Sequence, residues 1–153
     1  MRKIASFTVN HDKLKPGVYI SRKDGDAITY DLRMKVPNSG DYISPKSLHT
    51  IEHLLATYVR NSNYSDEVIY AGPMGCRTGF YLIMRDSVPA DELIKLLKLA
   101  FEFIADFSGE IPGSKREECG NYLEHDLDAA KSDARNYCKI LENVTPDSMS
   151  YDE

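Results

Sequence analysis

The 153-residue sequence has no apolar run approaching the roughly 20 residues needed to span a membrane. It has no excess of positive charge either, with 19 Lys and Arg against 24 Asp and Glu and a formal net charge of −5. That balance excludes a protein that tracks nucleic-acid phosphates, whose affinity would rest on a basic face. Cysteine is scarce and odd in number: Cys76, Cys119 and Cys138 do not make the even set of a disulfide-stapled secreted scaffold. The opening residues Met1 to Phe7 run at once into polar sequence and lack the apolar stretch of a signal peptide. Internal repeats, low-complexity tracts and linker-like stretches are missing as well. These absences predict a cytoplasmic protein with free thiols, no membrane partner and no nucleic-acid partner.

The residues that are present describe a folded domain. Hydrophobic residues make up 42% and charged residues 28%, close to globular averages. Ten Tyr and five Phe supply the large apolar surfaces that a disordered chain lacks. A chain of this size hides about 68–70% of its unfolded surface, so its core needs no staples. Residues 1–153 are therefore expected to form one domain.

Val18 and Ile20 alternate with polar residues, and the turn Asp24-Gly25-Asp26 leads into a strand from Ile28 to Val36. Ile28, Tyr30, Leu32 and Met34 share one face of it, and Thr29, Asp31, Arg33 and Lys35 the other. The pair reads as an antiparallel hairpin. Ser44-Pro45 opens a helix, with Ser as cap and Pro at the first position, and Leu48, Ile51, Leu55 and Tyr58 mark its apolar stripe up to about Asn61. Strands follow at Val68–Tyr70 and Phe80–Met84, separated by Gly72-Pro73-Met74-Gly75. A second helix begins at Pro89, with Asp91 and Glu92 in its first turn as the dipole prefers, and buries Leu93, Leu96, Leu97, Ala100, Ile104 and Phe107. Ser114 and Glu117 suggest a capping box on one short turn. The last helix carries Leu127, Ala130, Ala134, Tyr137 and Leu141, and the polar tail from Asn143 is expected to fray. The order of elements predicts an α+β fold, a two-layer sandwich of an antiparallel sheet with helices packed against it.

His49-Thr50-Ile51-Glu52-His53 is the segment that carries chemistry. Residues four apart stand one above the other on a helix, so His49 and His53 can present imidazoles to one metal ion. Glu52 falls close to the same face and can act as a base, which makes this the inverted zinc-protease pattern H-x-x-E-H. A polar helix face that happens to hold two His is the plain alternative. A catalytic metal needs a third protein ligand and an open position, for which His11, Cys76, Cys119 and His125 are candidates. Cys119 precedes Gly120, where backbone can approach closely. Cys138 lies at helical spacing between Ala134 and Leu141 and reads as a small buried hydrophobe. Cys76, on a tight turn beside Arg77, suits a reactive thiolate, or else a half-buried thiol at a strand start.

Three separate segments, Ser47 to His53, Gly72 to Tyr81 and Glu118 to Tyr122, resemble the S-ribosylhomocysteine lyase (LuxS) family. The resemblance extends to Ser6-Phe7 with His11, to Asp31-Leu32-Arg33 and to Pro37-Asn38, in the family's order from Ser6 to about Lys131. It implies that His49, His53 and Cys119 bind one divalent metal per chain, with a water or substrate oxygen completing the tetrahedron. The family's metal is Fe(II), and zinc or cobalt can take the same ligands. It implies further that Glu52 and Cys76 are the acid/base pair, and that Ser6, His11, Asp31, Arg33 and Arg60 hold substrate. The implied reaction converts S-ribosylhomocysteine to homocysteine and dihydroxypentanedione, an autoinducer precursor, by carbonyl migration and β-elimination. A homodimer is implied, with both sites at the interface and the Ser6–His11 segment reaching across.

Two positions depart from the family pattern: Tyr70 stands where an acidic residue is frequent, and Met34 where Phe is common. The rival readings are a small H-x-x-E-H metalloprotease and a non-catalytic zinc module. The first usually recruits a carboxylate as third ligand and sits in a far larger chain. The second requires a closed site of four protein ligands, which His125 beside Cys119 would supply.

Overall fold

The computed structural model describes residues 1–151. Four strands form one antiparallel sheet: β1 (Gly17–Asp24), β2 (Ala27–Arg33), β3 (Val68–Pro73) and β4 (Gly79–Arg85), in the spatial order β1-β2-β4-β3. Three helices, α1 (Pro45–Arg60), α2 (Ala90–Asp106) and α3 (Leu127–Leu141), complete the α+β sandwich. Val18, Tyr30, Leu32, Phe80, Leu82 and Met84 meet the apolar faces of all three helices in one core. Because strand side chains alternate, Tyr19, Asp31, Arg33, Tyr81 and Ile83 project from the opposite side of the sheet, away from the helices.

Local chemistry explains the element ends. Gly25 takes a positive φ of 60° in the β1–β2 turn, where a side chain would be strained. Ser44 caps α1 by accepting the Ser47 N–H at 3.2 Å, and Pro45 occupies its first turn. Asp126 does the same for α3 through the Ala129 N–H. The buried stripe of α1 is Ile51, Leu54, Leu55 and Val59, with Leu48 and Tyr58 only partly covered. β3 runs on to Pro73, beyond the expected end at Tyr70, because it is an edge strand on which a residue without an N–H costs no ladder bond. The turn then falls at Met74–Arg77, closed by the Arg77 N–H to the Met74 carbonyl.

Two expectations fail. The Ser114–Glu117 capping box does not form; Ser114 donates to the Ile111 carbonyl, Glu118 accepts the Lys115 N–H, and no helix follows. As far as Tyr151, the tail does not fray. Pro146–Met149 is a short 3-10 turn capped by Thr145 and Ser148, Met149 is 1% exposed, and Tyr151 donates to Asp31 Oδ2 at 2.8 Å. Burying one large apolar side chain contributes about 1.5–3 kcal/mol, and the burial of Val144 and the Tyr151–Asp31 hydrogen bond add to it.

Candidate active site

The functional residues fall into two groups on different layers. The first is built on the exposed flank of α1 and the long loop between α2 and α3. His49 Nδ1 lies 2.8 Å from the Glu124 carbonyl, and His53 Nδ1 lies 2.8 Å from the Pro112 carbonyl. A carbonyl only accepts, so both protons sit on Nδ1 and both Nε2 atoms keep a lone pair for an ion. The loop passes so close to His53 that a Cβ at Gly113 would stand 3.1 Å from Nδ1, and Gly113 also has a positive φ of 70°. Cys119 Sγ lies 3.4 Å from His49 Nε2 and 4.0 Å from His53 Nε2, and receives the Asn121 N–H. The His49 and His53 rings meet edge to face at 89°, so their lone pairs converge.

His125 is the fourth member: the ligand atoms of His49, His53, Cys119 and His125 all lie within 4.8 Å of one another. Burial, helped by His49 and His53, pushes the His125 imidazole down to about 4. Imidazoles and a thiolate are soft to borderline donors that suit a divalent transition metal, and these residues fit one. Glu52 stands on α1 between the two His, half-buried, and its carboxylate is engaged in no hydrogen bond or ion pair among the described residues.

The second group lies on the helix-free side of the sheet. Asp31 and Arg33 form a bidentate pair, Nε to Oδ1 at 3.1 Å and Nη2 to Oδ2 at 2.7 Å, although they are only 1% and 3% exposed. Burial opposes the Arg33 charge, but the hydrogen bond and charge of Asp31 more than restore it. The remaining guanidinium nitrogen donates to Thr78 Oγ1 at 2.8 Å and lies 4.0 Å from Cys76 Sγ; Thr78 Oγ1 is itself 3.1 Å from that sulfur. A cavity of about 320 Å³ opens here between Cys76, Arg33, Tyr81, Ser6 and His11. None of His49, Glu52, His53 or Cys119 lines it.

These arrangements coincide with a clear kinship. The family model for S-ribosylhomocysteinase (LuxS) matches residues 4–147. The chain belongs to the LuxS family. It is 47% identical to an S-ribosylhomocysteine lyase of Clostridium acetobutylicum over 158 aligned positions that cover 100% of each chain. It is 46% identical to one of Phocaeicola vulgatus over 157, covering 99% of this chain and 98% of the relative. For one of Borreliella afzelii the figure is 46% over 156, with 99% of each covered.

Within this LuxS chain, Arg60 joins neither group; it ends α1 and donates to the Ile69 carbonyl at 3.1 Å. Tyr70 is an exposed residue of β3 and lines a second cavity of about 230 Å³ that shares Ser6 and Tyr81 with the first. Thr78 escaped the sequence reading, since a threonine two residues after a cysteine carries no signal of its own. Tyr151 escaped it too, and its ring stacks on Tyr19 with centroids 5.0 Å apart.

Proposed function

We propose that this chain is a metal-dependent carbon–sulfur lyase that converts S-ribosylhomocysteine to homocysteine and dihydroxypentanedione. The observation that carries the reading is the convergence of His49, His53 and Cys119 in a full-length relative of proteins named for that reaction. His49, His53 and Cys119 would hold Fe(II), or zinc or cobalt in its place, which supplies Lewis-acid polarisation of sugar oxygens. Cys76 moves the carbon-bound proton: its thiolate takes one from the carbon beside the carbonyl and returns it to the former carbonyl carbon, while the neighbouring hydroxyl proton passes to the former carbonyl oxygen, so the carbonyl migrates along the chain. Once the carbonyl lies two carbons from sulfur, Glu52 removes the proton between them. That electron pair forms the new double bond, and the carbon–sulfur pair leaves with homocysteine. Arg33, held by Asp31 and Thr78, keeps a cation beside the Cys76 sulfur, and Ser6 and His11 line the same cavity for substrate; we assign Arg60 to substrate only by the family pattern.

The reaction needs Cys76 and the metal donors in one site, yet Cys76 belongs to the sheet's free side and the donors to the helix layer. A homodimer that seats the cavity of one protomer on the metal centre of its partner resolves this. Exposed apolar residues support it: Phe7 beside the cavity is 69% exposed, and Leu123 beside the metal loop is 74% exposed. Mixing inactive Cys76→Ala and Cys119→Ala proteins under subunit exchange is then expected to restore about a quarter of wild-type activity, since half the dimers are mixed and each carries one intact site. A mixture that stays inactive despite measured exchange would place both groups in one protomer.

The whole chain is read as one catalytic domain, and its three free cysteines fit a cytoplasmic enzyme; no helix of the described residues is long and apolar enough to cross a membrane. A closed zinc module finds its one point of support in His125. Its ring is stacked on His49 at 22° with centroids 4.1 Å apart, however, and in-plane lone pairs on two stacked rings do not point to one shared ion. We therefore favour three ligands, His49, His53 and Cys119, with an open position. Cys119→Ala is expected to lose most of its metal by elemental analysis, because the thiolate is the strongest of the three donors; full occupancy would remove Cys119 from the centre. The decisive assay is anaerobic, iron-loaded protein with S-ribosylhomocysteine, titrating released thiol. One thiol per substrate consumed is expected, and no release defeats the reading.

A further inference from the structure

Among the described residues, His125 Nε2 is the only buried side-chain nitrogen or oxygen without a hydrogen-bond partner. Folded chains seldom leave such an atom unpaired, and where they do a ligand commonly completes the set. The proton bookkeeping around Thr50 settles which kind of atom it is. Thr50 Oγ1 lies 3.0 Å from the Lys46 carbonyl, from the Asp126 N–H and from His125 Nδ1. The carbonyl can only accept, so it takes the single hydroxyl proton. The Asp126 N–H can only donate. The second lone pair of Oγ1 therefore receives an N–H from His125 Nδ1, which leaves Nε2 bare and able only to accept.

His49 and His53 reach the same tautomer against backbone carbonyls, and their lone pairs converge. The lone pair of His125 lies in a plane apart from that of His49, because the two rings are stacked with centroids 4.1 Å apart. It is aimed into the same cluster without meeting the point that the other donors share.

We propose that His125 Nε2 accepts a hydrogen bond from an O–H group seated at the open coordination position, making the centre selective for hydroxyl-bearing ligands. The identity of the natural ligand rests on the function proposed above: it is then a hydroxyl of the open-chain sugar, and His125 is a substrate-binding residue that orients it. The hydrogen-bonding role itself does not depend on that reading.

The test uses the full chain loaded with Co(II), whose visible bands report ligand binding, titrated with glycolate and with acetate. Wild type is expected to prefer glycolate, which carries an extra hydroxyl. His125→Phe keeps the stacked ring and removes the acceptor. The preference should then fall about five- to tenfold, the scale of one hydrogen bond, with cobalt content unchanged. His125→Gln, which returns an amide oxygen near the Nε2 position, should recover part of it. An undiminished preference in His125→Phe overturns the proposal, as does no response of the wild type to either anion. Loss of cobalt from folded His125→Phe also overturns it, by making His125 a ligand. Should that variant not fold, His125→Asn, whose amide is too short to reach, replaces it under the same criteria. Thiol release from S-ribosylhomocysteine is measured alongside. Its absence with the glycolate preference intact defeats the proposed reaction and leaves the role of His125 standing.

Discussion

Replacing Cys76 by alanine is expected to abolish homocysteine release while leaving metal content and fold unchanged. The thiol is exposed on the β3–β4 turn, so its loss opens no hole in the core. It is not among the clustered metal donors, so its loss removes no ligand. In the proposed mechanism, what disappears is the group that carries protons between neighbouring sugar carbons, and such a group typically contributes about 10²–10⁴-fold to rate. Cys138→Ala is the contrasting case. Cys138 packs against the core from α3, and burial, followed by the charges of Glu102 and Asp106, raises its thiol pKa and keeps it protonated. That change should cost about 1 kcal/mol of stability with little loss of rate. Thiol assays, elemental analysis and thermal melts on both variants check the pair, and reversed phenotypes would show the thiols to be wrongly sorted.

The same sorting shows how far the sequence carries. The i, i+4 spacing of His49 and His53 and the Ser44-Pro45 start are local facts, and local physics reproduces them in α1. The alternation of Tyr30, Asp31, Leu32 and Arg33 correctly separates the two faces of β2. It does not reveal that the charged face is also buried, because its cover comes from remote residues: the cavity wall near His11, and Tyr151 reaching back to Asp31. The tail misled for a related reason. Val144 and Met149 are isolated apolar residues in a polar stretch, and their burial depends on where the chain turns after α3, which no periodicity encodes. Cys119 stood as one of four candidates by spacing alone; its place beside the two imidazoles was legible only through the family resemblance. His125 is a candidate by residue type alone, and the stacking of its ring on His49 is a tertiary fact.

Glu52→Gln is expected to divide the reaction into its two halves. Glu52 lies three residues after His49 and one before His53 on α1, half-buried and with no partner for its carboxylate among the described residues. In the proposed mechanism a carboxylate placed so, beside the donors and with no bond to another described residue, is the base for elimination. The amide keeps its shape and removes its basicity, and neither the His49 and His53 tautomers nor the Cys119 position depends on it. In the proposed mechanism, proton transfer at the first sugar carbons rests on Cys76, which is untouched. Elimination requires a base at the carbon next to the one bearing sulfur, which Gln cannot provide. The variant should therefore bind metal normally, exchange sugar protons slowly with solvent, and release homocysteine at least about 10²-fold more slowly than wild type. Substrate NMR in deuterated water, run beside a thiol assay, separates the two steps. Thiol release near the wild-type rate would remove Glu52 from the elimination. Loss of exchange together with elimination would instead make Glu52, and not Cys76 alone, the base for both halves of the reaction.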